Sequence, residues 1–138
     1  MLSRDPIRVL ICNRFTLFRE GLKALLRQGV PMLIVAETDT ATEAVRMIER
    51  FHPDVVLLDA TMPDLSSCES TRHMKSIDPG VKIVIVSMND DEPLRAGCLE
   101  AGASVCMGNE DHAWDLKETI NRTCKPRARS IYAKWSFA

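Results

Sequence analysis

The sequence predicts an α/β fold in which helices cover both faces of one parallel β-sheet. Short apolar runs alternate five times with segments whose apolar residues recur at helical spacing. Strands that alternate with helices in this way form parallel sheets through right-handed crossovers. The central run, residues 55–58, is apolar at every position, which is typical of a strand buried on both faces. Together these observations predict a doubly wound sheet of five strands with five helices.

The first predicted strand covers residues 7–12 and the second covers residues 32–36. Between them, apolar residues recur at helical spacing among charged ones, which predicts an amphipathic first helix. Its apolar residues are Phe18, Leu22, Leu25 and Leu26.

The second helix and the third strand lead to a single acidic residue. Thr40 with Glu43 three residues on is a capping-box pattern, which predicts that a helix begins there and ends before Pro53. The third strand, residues 55–58, then runs directly into Asp59. Loops at the carboxyl ends of parallel strands face a crevice, so we expect Asp59 at its mouth.

The third helix begins with a second capping-box pattern, formed by Ser66 and Glu69, and is expected to end at about Ile77. The Asp-Pro-Gly sequence at residues 78–80 predicts a turn. The fourth strand is expected at residues 81–86.

Asn89 or Asp90 is expected to cap the fourth helix, and Gly97 in its middle costs about 1 kcal/mol relative to alanine. We therefore expect this helix to be the least stable of the five. Residues 104–107 form a short fifth strand, and Asp111 caps the last helix. Its expected apolar residues are Trp114, Leu116, Ile120 and Cys124.

Length and composition indicate one globular domain. The 138 residues are 46% hydrophobic and 27% charged. No signal peptide is apparent, and no run approaches the roughly 20 apolar residues of a membrane span. The five cysteines lack CxxC spacing, which argues against a disulfide framework or a zinc site and favours the cytoplasm. We interpret each as a small buried hydrophobic residue: Cys12, Cys68, Cys98, Cys106 and Cys124.

Five stretches resemble the receiver domain of bacterial two-component response regulators, and more narrowly the LuxR/NarL-type subfamily. They are IRVLI at 7–11, LFREGL at 17–22, PDVVLLDATMP at 53–63, VKIVIVS at 81–87 and AGA at 101–103. The resemblance covers about residues 5–124. It implies a flavodoxin-like (CheY-like) sheet with strand order 2-1-3-4-5.

The resemblance also implies that Asp59 is the phosphoacceptor position. Receivers typically hold magnesium with two adjacent acids after the first strand, but the matching positions here are Asn13 and Arg14. Asn109 occupies the position of the family's lysine, and Thr61 is expected in the same pocket. Because Mg²⁺ prefers anionic oxygen ligands, we expect no cofactor and at most weak Mg²⁺ binding.

Two arrangements of Arg14 are open: it can pair with Asp59 and replace part of the metal's charge, or it can point into solvent. Asp59 can also accept a hydrogen bond from Ser87, at the family's Ser/Thr position. The aromatic switch position holds Cys106, which has no ring to move. These replacements indicate a degenerate phosphorylation site.

The favoured interpretation is an atypical receiver domain that acts by phosphorylation-independent protein–protein contact, through the surface of the fourth helix, fifth strand and fifth helix. The expected partner is a histidine kinase or a downstream regulator, and a homodimer is possible. In the alternative, a histidine kinase phosphorylates Asp59 in the regulatory part of a LuxR-type transcription regulator. No second acid or base can be placed beside Asp59 from the sequence, so we do not expect an enzyme.

Residues 1–125 are expected to form the receiver-like domain, and residues 126–138 a basic, aromatic tail or linker. All 19 acidic residues lie at or before Glu118, whereas five of the 18 basic residues follow it. The tail could bind nucleic acid by charge and stacking, bind a protein partner, or pack against its own domain. DNA binding is otherwise expected only if a further C-terminal domain exists. The tail aromatics are Tyr132, Trp135 and Phe137.

Other acidic residues near predicted turns are interpreted as solvated caps and turn residues. They include Asp39, Asp54 and Asp64.

Overall fold

Strands and helices alternate along a computed structural model that describes residues 5–29, 32–87, 92–108 and 115–127. The order is β1 (Arg8–Cys12), α1 (Thr16–Leu26), β2 (Leu33–Thr38), α2 (Ala41–Phe51), β3 (Val55–Asp59), α3 (Ser67–Ile77), β4 (Lys82–Val86), α4 (Glu92–Ala101), β5 (Val105–Met107) and α5 (Asp115–Thr123). The strands form one parallel sheet in the order β2-β1-β3-β4-β5. The predicted fold class and strand order are confirmed.

Side-chain alternation along β3 divides the core between the two faces of the sheet. Val56 and Leu58 pack with residues of α2, α3 and α4, whereas Val55 and Leu57 pack with residues of α1 and α5. Successive residues of a strand point to opposite faces. Asp59 therefore continues the row of Val55 and Leu57, on the side of the sheet that α1 covers.

The predicted helix starts are confirmed at α2 and α3. The hydroxyl of Thr40 accepts a hydrogen bond from the backbone N–H of Glu43 at 3.2 Å, and that of Ser66 accepts one from Glu69 at 3.1 Å. His52 ends α2 in the left-handed conformation, with φ of 48°, before Pro53.

β2 extends two residues beyond its predicted end at Ala36. Glu37 and Thr38 still pair with Ile11 and Cys12 of β1. The prediction stopped where the apolar run stops, but an edge strand continues as long as its neighbour offers backbone hydrogen bonds.

Asp64 caps α2 from a distant loop, as an exposed residue. Its carboxylate accepts hydrogen bonds from the backbone N–H groups of Ala41 at 3.0 Å and Thr42 at 2.8 Å. Burial raises the pKa of Asp64, but the hydrogen bonds from Thr42 and Ala41 outweigh it and lower the pKa to about 2. The interpretation of Asp64 as a cap is confirmed, and Asp39 is exposed as expected.

The interpretation of Asp54 as a solvated turn residue is wrong. Its side chain is fully buried at the amino end of β3. One carboxylate oxygen accepts the backbone N–H of Arg8 at 2.8 Å, and the other accepts the backbone N–H and Nε of Arg127 at 3.2 and 3.3 Å. The partners lie 46 and 73 residues away in the chain, which the local pattern could not reveal.

Arg127, which the predicted division assigns to the tail, also lies against the domain. Its guanidinium forms an ion pair with Asp78 at 2.8 Å and donates to the carbonyl of Pro53 at 2.7 Å. The hydrogen bond to Asp78 raises the pKa of Arg127 and lowers that of Asp78.

The last helix buries Leu116 and Ile120 as predicted, and Cys124 is buried just beyond its end. Each helix in the described ranges is too short or too polar to cross a bilayer. The low stability expected for α4 stays a prediction. Four predicted cap or core residues lie outside the described residues: Asn89, Asp90, Asp111 and Trp114.

Candidate functional site at the carboxyl end of the sheet

Asp59 is the last residue of β3 and lies beside Val86 of β4. The backbone N–H of Ala60 still donates to the carbonyl of Val86 at 3.0 Å, so β4 holds the backbone at Asp59 and at the residue that follows it. Asp59 is only 8% exposed. The sheet therefore fixes this acidic residue at the edge where it was predicted.

One oxygen of the Asp59 carboxylate is held by Thr61. Oδ1 accepts hydrogen bonds from both the backbone N–H and the hydroxyl of Thr61, each at 2.9 Å. This is an Asx-turn, in which a carboxylate hydrogen-bonds to the chain two residues on. Among the described residues, none donates to Oδ2. The carboxylate thus has one fixed oxygen and one available oxygen.

A pocket of about 60 Å³ lies against Asp59. This volume has room for several water molecules or a small ion. It brings together two residues predicted at the site with two aromatic rings that the sequence analysis did not place there. The lining residues are Asn13, Phe15, Phe18, Asp59, Thr61 and Val86.

Asn13, at the first metal-ligand position of the family, is buried and forms the turn into α1. Its side-chain Oδ1 accepts the backbone N–H of Phe15 at 2.9 Å, and its backbone N–H donates to Thr38 at 3.0 Å. The amide oxygen is therefore already hydrogen-bonded within the loop.

Arg14, at the second metal-ligand position, does not form the ion pair with Asp59 that we considered. Its side chain is exposed, and its guanidinium carbon lies 4.6 Å from the centre of the Phe15 ring. A cation over an adjacent aromatic face is stabilised without losing its hydration. Asp59 accepts no hydrogen bond from Ser87 either, since both of its donors among the described residues belong to Thr61.

Arg19 is a residue of this region that the sequence analysis missed. Its guanidinium donates to the backbone carbonyl of Asn13 at 2.6 Å and forms an ion pair with Glu37 of β2 at 3.0 Å. Lys23 also pairs with Glu37, at 2.6 Å, and the two cations lower the pKa of that carboxyl, Lys23 more than Arg19. The sequence did contain a signal for this contact. Glu37 is an acidic residue at the end of an edge strand, and Arg19 and Lys23 are basic residues four positions apart on α1.

Ser87 and Cys106, two further predicted positions, lie next to the pocket and on the opposite face of the sheet, respectively. Ser87 is buried, and its backbone N–H donates to Met107 of β5 at 2.8 Å. Cys106 pairs in the sheet with Ile85 and packs in the core on the α2–α4 side, away from the face that carries Asp59. Asn109 lies outside the described residues.

The donor set does not fit an ordinary magnesium site. Among the described residues, Asp59 is the one carboxylate that lines the pocket, and the same ranges contain no cluster of three or more His, Cys, Asp or Glu placed to bind a metal ion. Burial, with further contributions from Asp64 and Asp59, raises the pKa of Cys12 to about 12, so its nearby thiol adds no charge.

The alternating sheet with a buried aspartate at the end of β3 defines a receiver-type signalling domain. The family described as response regulator receiver domain matches residues 9–120, and the chain belongs to this family. It is 33% identical over 119 residues to the transcriptional regulatory protein DegU of Brevibacillus brevis, covering 86% of this chain and 50% of that protein. It is 32% identical over 101 residues to the response regulator GacA of Pseudomonas viridiflava, covering 73% and 47%.

Solved structures support the same assignment. A LuxR-family response regulator from Aurantimonas sp. is 27% identical, with a TM-score of 0.78, and 96% of each chain is covered. The receiver domain of the response regulator NarL from Mycobacterium tuberculosis matches with a TM-score of 0.80 over 86% of this chain and 95% of that one, and at 23% identity it shows the fold alone. The LuxR/NarL-type resemblance is thus confirmed. The chain spans about half the length of the curated relatives it matches.

Proposed function

We propose that this receiver domain acts in two-component-type signal transduction mainly by protein–protein contact that does not require phosphorylation of Asp59. In this proposal it is a cytoplasmic pseudo-receiver without enzymatic activity. Its partner is a histidine kinase or a downstream regulator. The observation that carries the proposal is that Asp59 is the single carboxylate among the described residues that line the pocket.

Phosphoryl transfer to a carboxylate concentrates negative charge, which a metal ion and further cations normally neutralise. Here the amide oxygen of Asn13 is bound to the N–H of Phe15, and Arg14 lies over a ring in solvent. A phosphorylated Asp59 would add a group of roughly two negative charges to a buried site. We therefore propose that the domain uses no metal cofactor and binds Mg²⁺ weakly.

The apolar surface of α1 supports a contact role. A groove of about 580 Å³ along this helix is lined by Phe15, Leu17, Phe18, Gly21, Leu22 and Leu25. Leu17 is 86% exposed, so it contributes little to the domain's own core. We propose this surface as a contact for an apolar face of the partner protein, in addition to the α4–β5–α5 surface that the family resemblance implies.

A second candidate function is that of a slow phosphoacceptor. The observation in its favour is that Asp59 Oδ2 has no donor among the described residues while its side chain lines a pocket. In this alternative a histidine kinase phosphorylates Asp59 in the regulatory half of a LuxR-type transcription regulator. Arg14 would then have to leave Phe15 to approach the phosphoryl group.

Nucleic-acid binding through the tail is the weakest candidate. Arg127 is engaged with Asp54 and Asp78, so it is not available to contact phosphate. The rest of the tail, residues 128–138, lies outside the described residues. Binding that falls steeply with salt and is lost on truncation after Arg127 would support this candidate.

Intact-mass spectrometry after incubation with acetyl phosphate, with and without Mg²⁺, tests the proposal. We expect no phosphoryl adduct on the wild-type chain in either condition. The Asp59→Asn variant controls for labelling elsewhere, and an Asn13→Asp, Arg14→Asp variant, which restores the family's two acids, controls for a working assay. A Mg²⁺-dependent adduct on the wild type that is absent from Asp59→Asn would contradict the proposal and favour the phosphoacceptor.

A further inference from the structure

We propose that Cys68 and Cys98 form a reversible disulfide between α3 and α4, so that the domain carries a thiol-oxidation site in addition to the Asp59 pocket. The two sulfur atoms are 3.5 Å apart in the reduced protein. A disulfide bond is about 2.05 Å long, so closing it requires a sulfur displacement of roughly 1.5 Å, within reach of side-chain rotation.

The packing of the two helices brings the thiols together. Cys68 lies in the first turn of α3 and Cys98 lies on the inner face of α4. Gly97 lies at the same helix contact, since a Cβ at that position would stand 3.4 Å from the sulfur of Cys68, an ordinary van der Waals distance.

The two thiols differ in a way that suits stepwise oxidation. Cys68 is partly exposed and can meet a reagent from solvent, whereas Cys98 is fully buried. Burial raises the pKa of Cys98 to about 11, so this thiol stays protonated and protected until Cys68 has reacted. The hydroxyl of Ser67 lies 3.2 Å from the Cys98 sulfur and lowers its pKa, which favours the thiolate in the second step.

The oxidant in this proposal is a low-molecular-weight disulfide. The Cys68 thiolate attacks one sulfur of that disulfide, whose S–S bond breaks, and the released small thiolate takes up a proton. Cys98 then gives up its proton and attacks the Cys68 sulfur, displacing the second small thiol. Two protein thiols are oxidised by two electrons in total, and the small disulfide is reduced to two thiols.

Such a site fits a reducing compartment. Disulfides there are mostly transient and redox-sensing rather than structural. Closure would connect residues 30 positions apart and hold α4 against α3. The interpretation of each cysteine as a small buried residue is confirmed for four of the five, whereas Cys68 is only partly buried.

The test treats the folded full chain with oxidised glutathione, quenches it by alkylation, and reads intact mass and non-reduced peptide maps. We expect the oxidised chain to carry two fewer alkyl groups than the untreated chain, a change that a dithiol added before alkylation reverses, and a cross-linked peptide pair containing Cys68 and Cys98. Cys98→Ser should stop at a glutathione adduct on Cys68, and Cys68→Ser should form neither product. Ser67→Ala should slow closure, while Cys124→Ser, which changes a buried cysteine distant from the pair, should behave as wild type.

A wild-type chain that keeps the glutathione adduct on Cys68 without closing would overturn the proposal. So would a cross-link that maps to another pair, or oxidation that requires urea. Because the wild-type peptide map decides these outcomes, the proposal can be rejected even if a serine variant fails to fold.

Discussion

Asp54 immediately precedes β3 and Asp59 ends it, so two buried carboxylates lie at opposite ends of the same strand. Both oxygens of Asp54 accept hydrogen bonds, and an arginine balances its charge. Asp59 receives hydrogen bonds on one oxygen from neutral groups of Thr61, and in the described part of the chain no cation pairs with it.

The two carboxylates differ in how completely the fold pairs them. A buried charge is tolerated when it is paired and fully hydrogen-bonded, as Asp54 is. Asp59, by contrast, has one oxygen without a donor among the described residues and lies beside a pocket. We infer that the amino end of the sheet stabilises the domain while the carboxyl end keeps the geometry of a signalling site.

The largest expected effect comes from Asp54→Asn. An amide cannot balance the guanidinium of Arg127, and its NH₂ group faces N–H donors, so we expect a loss of about 3 kcal/mol in the free energy of unfolding. Urea denaturation followed by circular dichroism measures it. Asp39→Asn, at an exposed position, is the control and should change stability by less than about 0.5 kcal/mol. Equal effects of the two variants would contradict a structural role for Asp54.

The Arg127→Met variant should cost about 2 kcal/mol, less than the loss of Asp54, because Asp54 retains backbone donors from Arg8 and residue 127. Arg127 holds the pKa of Asp78 below its usual range. NMR titration should therefore show the pKa of Asp78 rising in this variant. An unchanged Asp78 titration would mean that the ion pair does not form in solution.

Asp64, an exposed carboxylate held by backbone donors, lies between the two extremes. Asp64→Ala should destabilise the domain by about 1 kcal/mol through loss of the α2 cap. Its pKa in the folded protein is lowered to about 2 from an ordinary 3.8, so its contribution is complete above about pH 4 and is lost as the pH falls towards 2. Unfolding measured from pH 5 to 2 should show a smaller pH dependence in the variant. The same dependence in both proteins would argue against the cap.

The smallest effect is expected for Asp59→Asn, the same substitution as at Asp54. The amide oxygen still accepts from Thr61, and an incompletely paired buried charge is removed, so we expect stability to rise by up to about 1 kcal/mol. Urea denaturation of Asp59→Asn and Asp54→Asn under the same conditions compares their free energies of unfolding. A loss as large as that of Asp54→Asn would show that Asp59 is structural.

The sequence predicted the strand order through a family resemblance and the helix starts through local caps, since Thr40 and Ser66 act within three residues. It did not predict contacts between distant parts of the chain. Asp54 meets Arg127 across 73 residues, and Cys68 meets Cys98 across 30. The sequence left two arrangements of the Arg14 side chain open, because spacing along the chain does not show whether a ring or a carboxylate lies closer to its guanidinium.

The most direct measurement is calorimetric titration of the wild-type chain and the Asn13→Asp, Arg14→Asp variant with Mg²⁺. We predict that the variant binds Mg²⁺ at least about tenfold more tightly than the wild type, because two added carboxylates complete the oxygen ligands beside Asp59. The wild-type chain should show little heat over the same range. Wild-type binding as tight as that of the variant would contradict the claim that this pocket lacks a working metal site.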